Sequence, residues 1–210
     1  MKITKFDHAC FFIEKDGRGL IFDPVSISTG LPVITNLDCI IITHKHSDHF
    51  QPETLARLIA DNPAAKIFTT GDSAKTITNS NIAKSGQTET VGMFRLSFFG
   101  GDHAPIYKSE IPCENIGTVV DDLIVNPADS FDFPDGVAPK VLLAPISAPW
   151  LKLGDSIEYI EANKPQVVIN SHDAILSEFG LAVANSWIDS KSKDAGVDYR
   201  FLRAGENMEI

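Results

Sequence analysis

The residues from Cys39 to Phe50 decide the fold and read Cys39-Ile40-Ile41-Ile42-Thr43-His44-Lys45-His46-Ser47-Asp48-His49-Phe50. An apolar strand runs directly into a polar turn that carries three histidines and an aspartate. Residues two apart in an extended segment point the same way, so His44 and His46 can converge on one ion. The turn that follows can bring Asp48 and His49 to a neighbouring point. Two such sites, roughly 3.5–4 Å apart, would form a two-metal hydrolytic centre.

The side chains of this turn also indicate which ions would bind. Imidazole and carboxylate together suit Zn²⁺, and they also suit Mn²⁺ or Fe²⁺. The alternative is a solvated polar turn that holds its histidines by chance. Because an apolar strand delivers all of them to one spot, the metal site is favoured, and we expect two divalent ions, with Zn²⁺ preferred.

Short apolar runs of strand length recur along the chain, each bounded by Gly, Pro, Asp or Asn. They are Cys10–Ile13, Gly19–Phe22, Cys39–Thr43, Lys66–Thr69, Phe94–Phe99, Gly117–Val120, Leu123–Val125, Lys140–Leu143 and Gln166–Ile169. Helices are predicted from Pro52 to Ala60, from a cap at Asp72 to about Thr78, from a cap at Asp155 or Ser156 to Ala162, and from Ser177 to Lys191. We expect one α/β domain over residues 1–210, with about four helices covering two sheets from outside.

Composition limits the class of substrate and the compartment. The chain has 28 acidic and 18 basic residues and a net charge of −10, which disfavours nucleic acid and leaves a small molecule as the expected substrate. No apolar stretch reaches the roughly eighteen residues of a membrane span, and the first residues do not resemble a secretory signal. Three scattered cysteines suit a reducing compartment, so we expect a cytoplasmic protein.

The pattern His-x-His-x-Asp-His at residues 44–49 resembles the signature of the metallo-β-lactamase superfamily. The resemblance implies a four-layer αβ/βα sandwich of two mixed β-sheets flanked by helices. It also implies a further histidine after a later strand, then a bridging aspartate, and a last histidine near the C-terminus. His103, Asp129 and His172 each stand just beyond an apolar run and are the candidates for these positions.

Carried over residue by residue, the resemblance divides the ligands between two metals. One metal would take His44, His46 and His103. The other would take Asp48, His49 and His172, with Asp129 bridging the pair. Taken alone, His103 or His172 would more often be a structural histidine. Asp121, Asp122 and Asp132 are alternatives for the bridge, and the resemblance favours Asp129.

Two further residues resemble one branch of the superfamily, the ascorbate-6-phosphate lactonase-like and uncharacterised metal-dependent hydrolases. His8, within the segment Asp7-His8-Ala9-Cys10-Phe11, would face the site beside the ligands or the substrate. Its alternative is a histidine satisfied between two sheets. Asp23, after the run Gly19–Phe22, would orient a ligand by hydrogen bonding; its alternative is an aspartate that starts a turn.

The expected activity is hydrolysis of a small ester, lactone or phosphoester by a metal-bound hydroxide, with Asp48 orienting the nucleophile or accepting its proton. Trp150 could wall the substrate site or belong to the core, and Lys152 could hold a phosphate or carboxylate. The alternatives are a catalytically idle metal-binding sensor or interaction protein of the same fold and, further away, a nuclease or phosphodiesterase. Because relatives often oligomerise, we also expect a homo-oligomer.

Overall fold

The computed structural model of the protein describes residues 1–27, 30–108 and 113–210. The strands of these residues are, in chain order, β1 (Lys2–Lys5), β2 (Phe11–Lys15), β3 (Arg18–Phe22), β4 (Leu37–Ile42), β5 (Lys66–Thr69), β6 (Asn81–Ile82), β7 (Thr88–Val91), β8 (Phe94–Phe99), β9 (Gly117–Val120), β10 (Ile124–Asn126), β11 (Val141–Pro145), β12 (Val167–Ser171), β13 (Asp198–Arg200) and β14 (Asn207–Glu209). The helices are α1 (Pro52–Asp61), α2 (Gly71–Ala74), α3 (Leu153–Asn163) and α4 (Glu178–Asp194).

The strands form two seven-stranded sheets, and each sheet is antiparallel in one half and parallel in the other. The first sheet has the order β14-β1-β2-β3-β4-β5-β6. Its pairs are antiparallel as far as β3 and parallel from β3 to β6. The second sheet has the order β13-β12-β11-β10-β9-β8-β7, with parallel pairs from β10 to β13 and antiparallel pairs from β7 to β10. The expected pair of mixed sheets is thus observed.

From Cys39 to Ile42, strand β4 is buried on both faces, which explains the apolar sequence of this part of the strand. Cys39 and Ile41 face the second sheet, in a cluster shared with residues such as Phe98 and Leu143. The alternate residues Ile40 and Ile42 face outward, in a separate cluster covered by Leu55 and Leu58 of α1. On the far side of the molecule, α3 and α4 cover the second sheet through Tyr159, Ile160, Ala184 and Ile188. Helices therefore flank both sheets from outside, as expected.

Three helices differ from the sequence expectations: α4 runs three residues further than expected, to Asp194, and α2 and α3 begin differently. The second helix is capped by Thr70, whose side chain accepts a hydrogen bond from the backbone N–H of Ser73. The helix ends at Ala74. Asp72 therefore lies inside the first turn and is not the cap. Helix α3 begins at Leu153, and Asp155 accepts a hydrogen bond from the backbone N–H of Lys152. An aspartate in the first turn stabilises a helix start much as a capping aspartate does, so the sequence pattern alone does not distinguish the two positions.

The fold brings several strand ends to one edge of the sandwich. The parallel strands β3 and β4 both end there, followed by Asp23 and by His44. The parallel strands β11 and β12 of the second sheet end beside them, and His172 follows β12. The backbone N–H of His172 donates to the carbonyl of His8, which joins the two sheets at this edge. Within the described ranges, no helix is both long and apolar enough to cross a membrane.

Candidate metal centre

A tight turn after β4 folds the histidine-rich segment back on itself. The backbone N–H groups of His49 and Phe50 both donate to the carbonyl of His46, at 3.0 and 2.9 Å. His44 and His49 are completely buried, while His46 is half-buried and Asp48 keeps 41% of its side chain exposed. The turn therefore presents Asp48 toward solvent and its buried histidines toward the interior.

The first group of candidate ligands consists of His44, His46 and His103. One ring nitrogen of each lies within 4.8 Å of the others. The closest pair is the Nε2 atom of His44 and the Nδ1 atom of His46, 3.1 Å apart. His103 lies beyond the end of β8, directly after Asp102, which forms an isolated β-bridge with Glu114. The backbone N–H of His103 donates to the carbonyl of Cys113 at 2.9 Å. Three converging imidazoles are a typical set of zinc ligands.

The second group consists of Asp48, His49 and His172, with His8 beside them, and its ligand atoms also lie within 4.8 Å of one another. His172 has a backbone φ of 57°, in the left-handed region, and is buried. An L residue rarely adopts that conformation, so the fold here accepts local strain to point the imidazole into the centre.

Asp129 lies between the two groups. Its Oδ1 atom is 3.2 Å from the Nε2 atom of His49, and its Oδ2 atom is 3.3 Å from that of His103 and 3.0 Å from that of His172. Asn115 holds the Asp129 loop by accepting a hydrogen bond from the Asp129 backbone N–H and donating one to the carbonyl of Pro127. A carboxylate in contact with both groups has the position that a bridging ligand needs.

Hydrogen bonds fix which ring nitrogen of each candidate histidine faces the centre. The Nδ1 atom of His49 donates to Asp23 at 2.8 Å, and the Nδ1 atom of His172 donates to the carbonyl of Ser147. The Nδ1 atom of His103 donates to the carbonyl of Ala104. A neutral imidazole that donates through one nitrogen presents a lone pair at the other, so the three Nε2 atoms are free to bind a cation.

Asp23 and Thr43 hold His44 and His49 in place by hydrogen bonds. Asp23 accepts hydrogen bonds from the backbone N–H of Thr43 at 2.8 Å and from its hydroxyl at 2.7 Å. With its proton directed at Asp23, the Thr43 hydroxyl accepts from the Nδ1 atom of His44 at 3.1 Å. The Asp23 carboxylate thus orients His49 directly and His44 through Thr43.

Among the described residues, three buried polar atoms at the centre have no hydrogen-bond partner: His49 Nε2, His172 Nε2 and Asp129 Oδ1. Without a cation between them, the lone pair of a neutral His49 and the Oδ1 atom of Asp129 would face each other as two acceptors 3.2 Å apart. Leaving buried acceptors unpaired is costly, and a divalent cation placed among them would satisfy all three. The residues present therefore fit a divalent metal of the kind that binds imidazole and carboxylate.

The electrostatics of the centre favour a cation as well. Burial lowers the pKa of His44 and of His46, which keeps both imidazoles neutral and available as ligands. Burial also lowers the pKa of His49, but Asp129 and Asp23 outweigh it and the net shift is strongly upward. Likewise burial raises the pKa of Asp129, but His49 and its histidine neighbours hold it well below the usual value. The same negative charge that attracts a proton to His49 would attract a metal.

His8 differs from His103 and His172 in carrying its proton on the ring nitrogen that faces the centre. Its Nδ1 atom accepts a hydrogen bond from the backbone N–H of Ala174 at 3.2 Å. The proton of the neutral ring is then on Nε2, which donates to Asp48 at 3.3 Å. Burial is the main reason that the pKa of His8 is lowered, so the ring is neutral. His8 therefore presents a proton where His103 and His172 present a lone pair, and it holds Asp48.

The two residues expected near the substrate occupy different positions. Trp150 is half-buried and donates its indole N–H to the Oδ2 atom of Asp129 at 3.0 Å. Lys152 is exposed and precedes α3. The loop from 104 to 113, for which the sequence offers no substrate pattern, lies partly outside the described residues, at 109–112.

Several residues that support the centre carry no signal in the sequence. Lys5 is buried and donates to Asp173 at 3.0 Å, next to His172, and Asn170 donates to the other oxygen of Asp173 at 2.6 Å. The Cys113 sulfur lies 3.6 Å from the Nε2 atom of His46. A lysine in a strand or an isolated cysteine is ordinary in any sequence, and only the folded contacts reveal these roles.

Comparisons with known proteins agree with this architecture. Residues 2–123 match the family model described as the β-lactamase superfamily domain. Protein Rv0786c of Mycobacterium tuberculosis is 33% identical over 184 residues, which is 84% of this chain and 86% of that protein. A UPF0173 metal-dependent hydrolase of Carboxydothermus hydrogenoformans is 24% identical over 233 residues and covers 100% of both chains.

Among solved structures, a candidate metal-dependent hydrolase from Parabacteroides distasonis superposes with a TM-score of 0.78 at 19% identity. The match covers 95% of this chain and 91% of that one. At this level of identity the similarity establishes a shared fold.

Proposed function

Because the chain belongs to the β-lactamase superfamily and is a metal-dependent hydrolase with a His and Asp metal site, we propose that it cleaves a small ester, lactone or phosphoester at two metal ions. The observation that carries this proposal is the position of Asp129 between two groups of ligand atoms. Divalent ions bound there would lower the pKa of a water molecule and polarise the substrate oxygen. Zn²⁺ is the ion that we expect first, with Mn²⁺ or Fe²⁺ as alternatives.

The side chains divide the work around these ions. His44, His46 and His103 would hold one ion, and Asp48, His49 and His172 would hold the other. Asp48 keeps 41% of its side chain exposed, whereas His49, His103, Asp129 and His172 keep 4% or less. Asp48 is therefore placed to orient an attacking water or accept its proton. The Nε2–H group of His8 fixes the Asp48 carboxylate for that role.

We propose a small substrate on the basis of the net charge of the chain. The net charge of −10 repels polyanions, which supports a small molecule over a nucleic acid. The exposed Lys152 and the edge of Trp150 remain our proposed contacts for an anionic or cyclic substrate. We also propose a cytoplasmic location, since Cys10, Cys39 and Cys113 are free thiols, and assembly into a homo-oligomer.

A substrate screen tests the proposed chemistry. Metal-replete protein would be assayed against chromogenic lactones, carboxylic esters and phosphodiesters, with the His46→Ala variant as the matched control. We expect turnover of at least one class, reduced by roughly 100-fold or more in the variant because a ligand is lost. Metal-loaded protein that cleaves none of the three classes would contradict the proposal.

A further inference from the structure

The loop between β11 and α3 contacts the metal centre at two points. The carbonyl of Ser147 accepts a hydrogen bond from the Nδ1 atom of His172. Three residues later, the indole N–H of Trp150 donates to the Oδ2 atom of Asp129 at 3.0 Å. One short loop thus holds a candidate ligand of the second metal and the carboxylate that joins the two sites.

The indole is itself held in place by neighbouring rings. Phe131, two residues after Asp129, packs edge-to-face against Trp150 with ring centroids 5.2 Å apart. His103 lies on another side, with ring centroids 6.1 Å apart and a similar edge-to-face angle. Since Trp150 is only half-buried, its N–H group could be satisfied by water. Its hydrogen bond to Asp129 instead fixes both the indole and the carboxylate.

The hydrogen bond determines what the two oxygens of Asp129 can still do. The Oδ2 atom accepts from Trp150 while it faces His103 and His172, so one of its lone pairs is engaged and the carboxylate cannot rotate freely. The Oδ1 atom, buried beside His49, has no hydrogen-bond partner in the part of the chain that the structure describes. The carboxylate is therefore held with Oδ1 toward His49 and Oδ2 toward His103 and His172.

We propose that Trp150 is a positioning residue that locks Asp129 between the two groups of metal ligands and thereby sets the affinity of the second metal. The proposal rests on the metal-binding function proposed above, and it concerns metal affinity and not turnover. Loss of a hydrogen bond that orients a metal ligand typically weakens metal affinity by roughly 10- to 100-fold.

The Trp150→Phe variant tests this role, because phenylalanine retains an aromatic ring against Phe131 and removes the N–H donor. The chain offers a matched control in Trp187→Phe, since Trp187 is exposed on α4, on the helical layer outside the second sheet. Zn²⁺ affinity would be measured by competition with a chromophoric chelator, with Zn²⁺ as the only added ion. We expect the second equivalent to bind about tenfold or more weakly to Trp150→Phe and unchanged to Trp187→Phe.

Tryptophan fluorescence gives a second measurement that does not require Trp150→Phe to fold. The Trp187→Phe protein has Trp150 as its only indole, because the chain contains two tryptophans. Zn²⁺ has a filled d shell and no redox chemistry, so an emission change on its binding reports the surroundings of the indole. We expect the Trp150 emission to change as the second equivalent binds.

The outcomes separate this proposal from the proposed function. Equal affinity of wild type and Trp150→Phe for both equivalents would overturn the role of Trp150. If Trp150→Phe fails to fold, an unchanged Trp150 emission at metal saturation would overturn it. Wild-type protein that binds two ions and hydrolyses no substrate would overturn the proposed function and leave the role of Trp150 to be decided by affinity.

Discussion

Asp23 and His49 form a fully buried pair in which the Nδ1 atom of His49 donates to the Asp23 carboxylate at 2.8 Å. The pair joins the end of β3 to the turn after β4, and it leaves the Nε2 atom of His49 directed at Asp129. The same carboxylate holds Thr43, which in turn holds His44. One aspartate outside the ligand set therefore orients a histidine of each proposed metal site.

We predict that Asp23→Asn weakens metal binding. The amide cannot accept hydrogen bonds at both of its side-chain atoms, so either His49 or Thr43 loses its partner. The expected loss of Zn²⁺ affinity is roughly 10- to 100-fold. Chelator competition measures it, with Asp16→Asn as the control, because Asp16 is an exposed aspartate that also has a positive φ. Equal losses in both variants would contradict a specific role for Asp23.

We predict that His8→Asn lowers turnover while metal content stays near that of the wild type. His8 has a φ of 59°, and asparagine tolerates this left-handed conformation better than other residues. The shorter side chain cannot reach Asp48 while remaining in contact with the Ala174 backbone. We expect kcat to fall by roughly 10- to 100-fold on whichever substrate the screen identifies. A parallel loss of bound metal would instead make His8 a ligand.

Some strands could be predicted from the sequence and others could not, for different physical reasons. The apolar part of β4 was predictable because burial on both faces requires apolar residues there. The histidines that follow it were recognisable by their spacing. The short strands β6, β7, β13 and β14 were missed because they are polar and largely exposed, and their backbone hydrogen bonds come from neighbouring strands. Their conformation is set by tertiary pairing and not by local preference.

The positioning contacts show the same limit. The orienting acceptor of His172 is the backbone carbonyl of Ser147, and the donor to His8 is the backbone N–H of Ala174. Every residue carries these groups, so no side-chain pattern marks them. Asp23 could be singled out because its position after the run Gly19–Phe22 resembles one branch of the superfamily; Asn115 and Lys5 could not.

We predict that Lys5→Met strongly destabilises the fold. The variant would leave Asp173 as an unpaired carboxylate that keeps only 10% of its side chain exposed. Breaking a buried ion pair by removing one partner typically costs about 3–5 kcal/mol of unfolding free energy. Urea unfolding measures it, with Lys2→Met as the control, since Lys2 pairs with Glu14 on the surface. A similar small effect in both variants would contradict a structural role for the buried pair.

We predict that Asp38 stabilises the fold only above acidic pH. Burial raises the pKa of Asp38, but hydrogen bonds from Arg18 and the Met93 backbone outweigh it, and the net shift is downward. A lowered folded pKa means that the stabilisation is complete above the unfolded pKa of roughly 3.9 and is lost as pH falls through the folded value. The stability difference between wild type and Asp38→Asn should therefore be constant above about pH 5 and shrink below about pH 4.

Urea unfolding from pH 3 to 7 measures that difference, with the exposed Asp135→Asn as the control. A difference that grows on acidification would have the wrong sign and would contradict the assignment. Metal-free protein should be used throughout, because a metal that binds only the folded state would add to its measured stability.

The central claim is that Asp129 and six neighbouring side chains hold two divalent ions. Elemental analysis of protein purified without chelator, with His46→Ala analysed beside it, tests the claim most directly. We predict about two ions per wild-type chain, bound by the two groups that Asp129 joins, and a clear reduction in the variant. No bound metal in the wild type, even after Zn²⁺ or Mn²⁺ is added back, would contradict the metal centre and the hydrolase proposed from it.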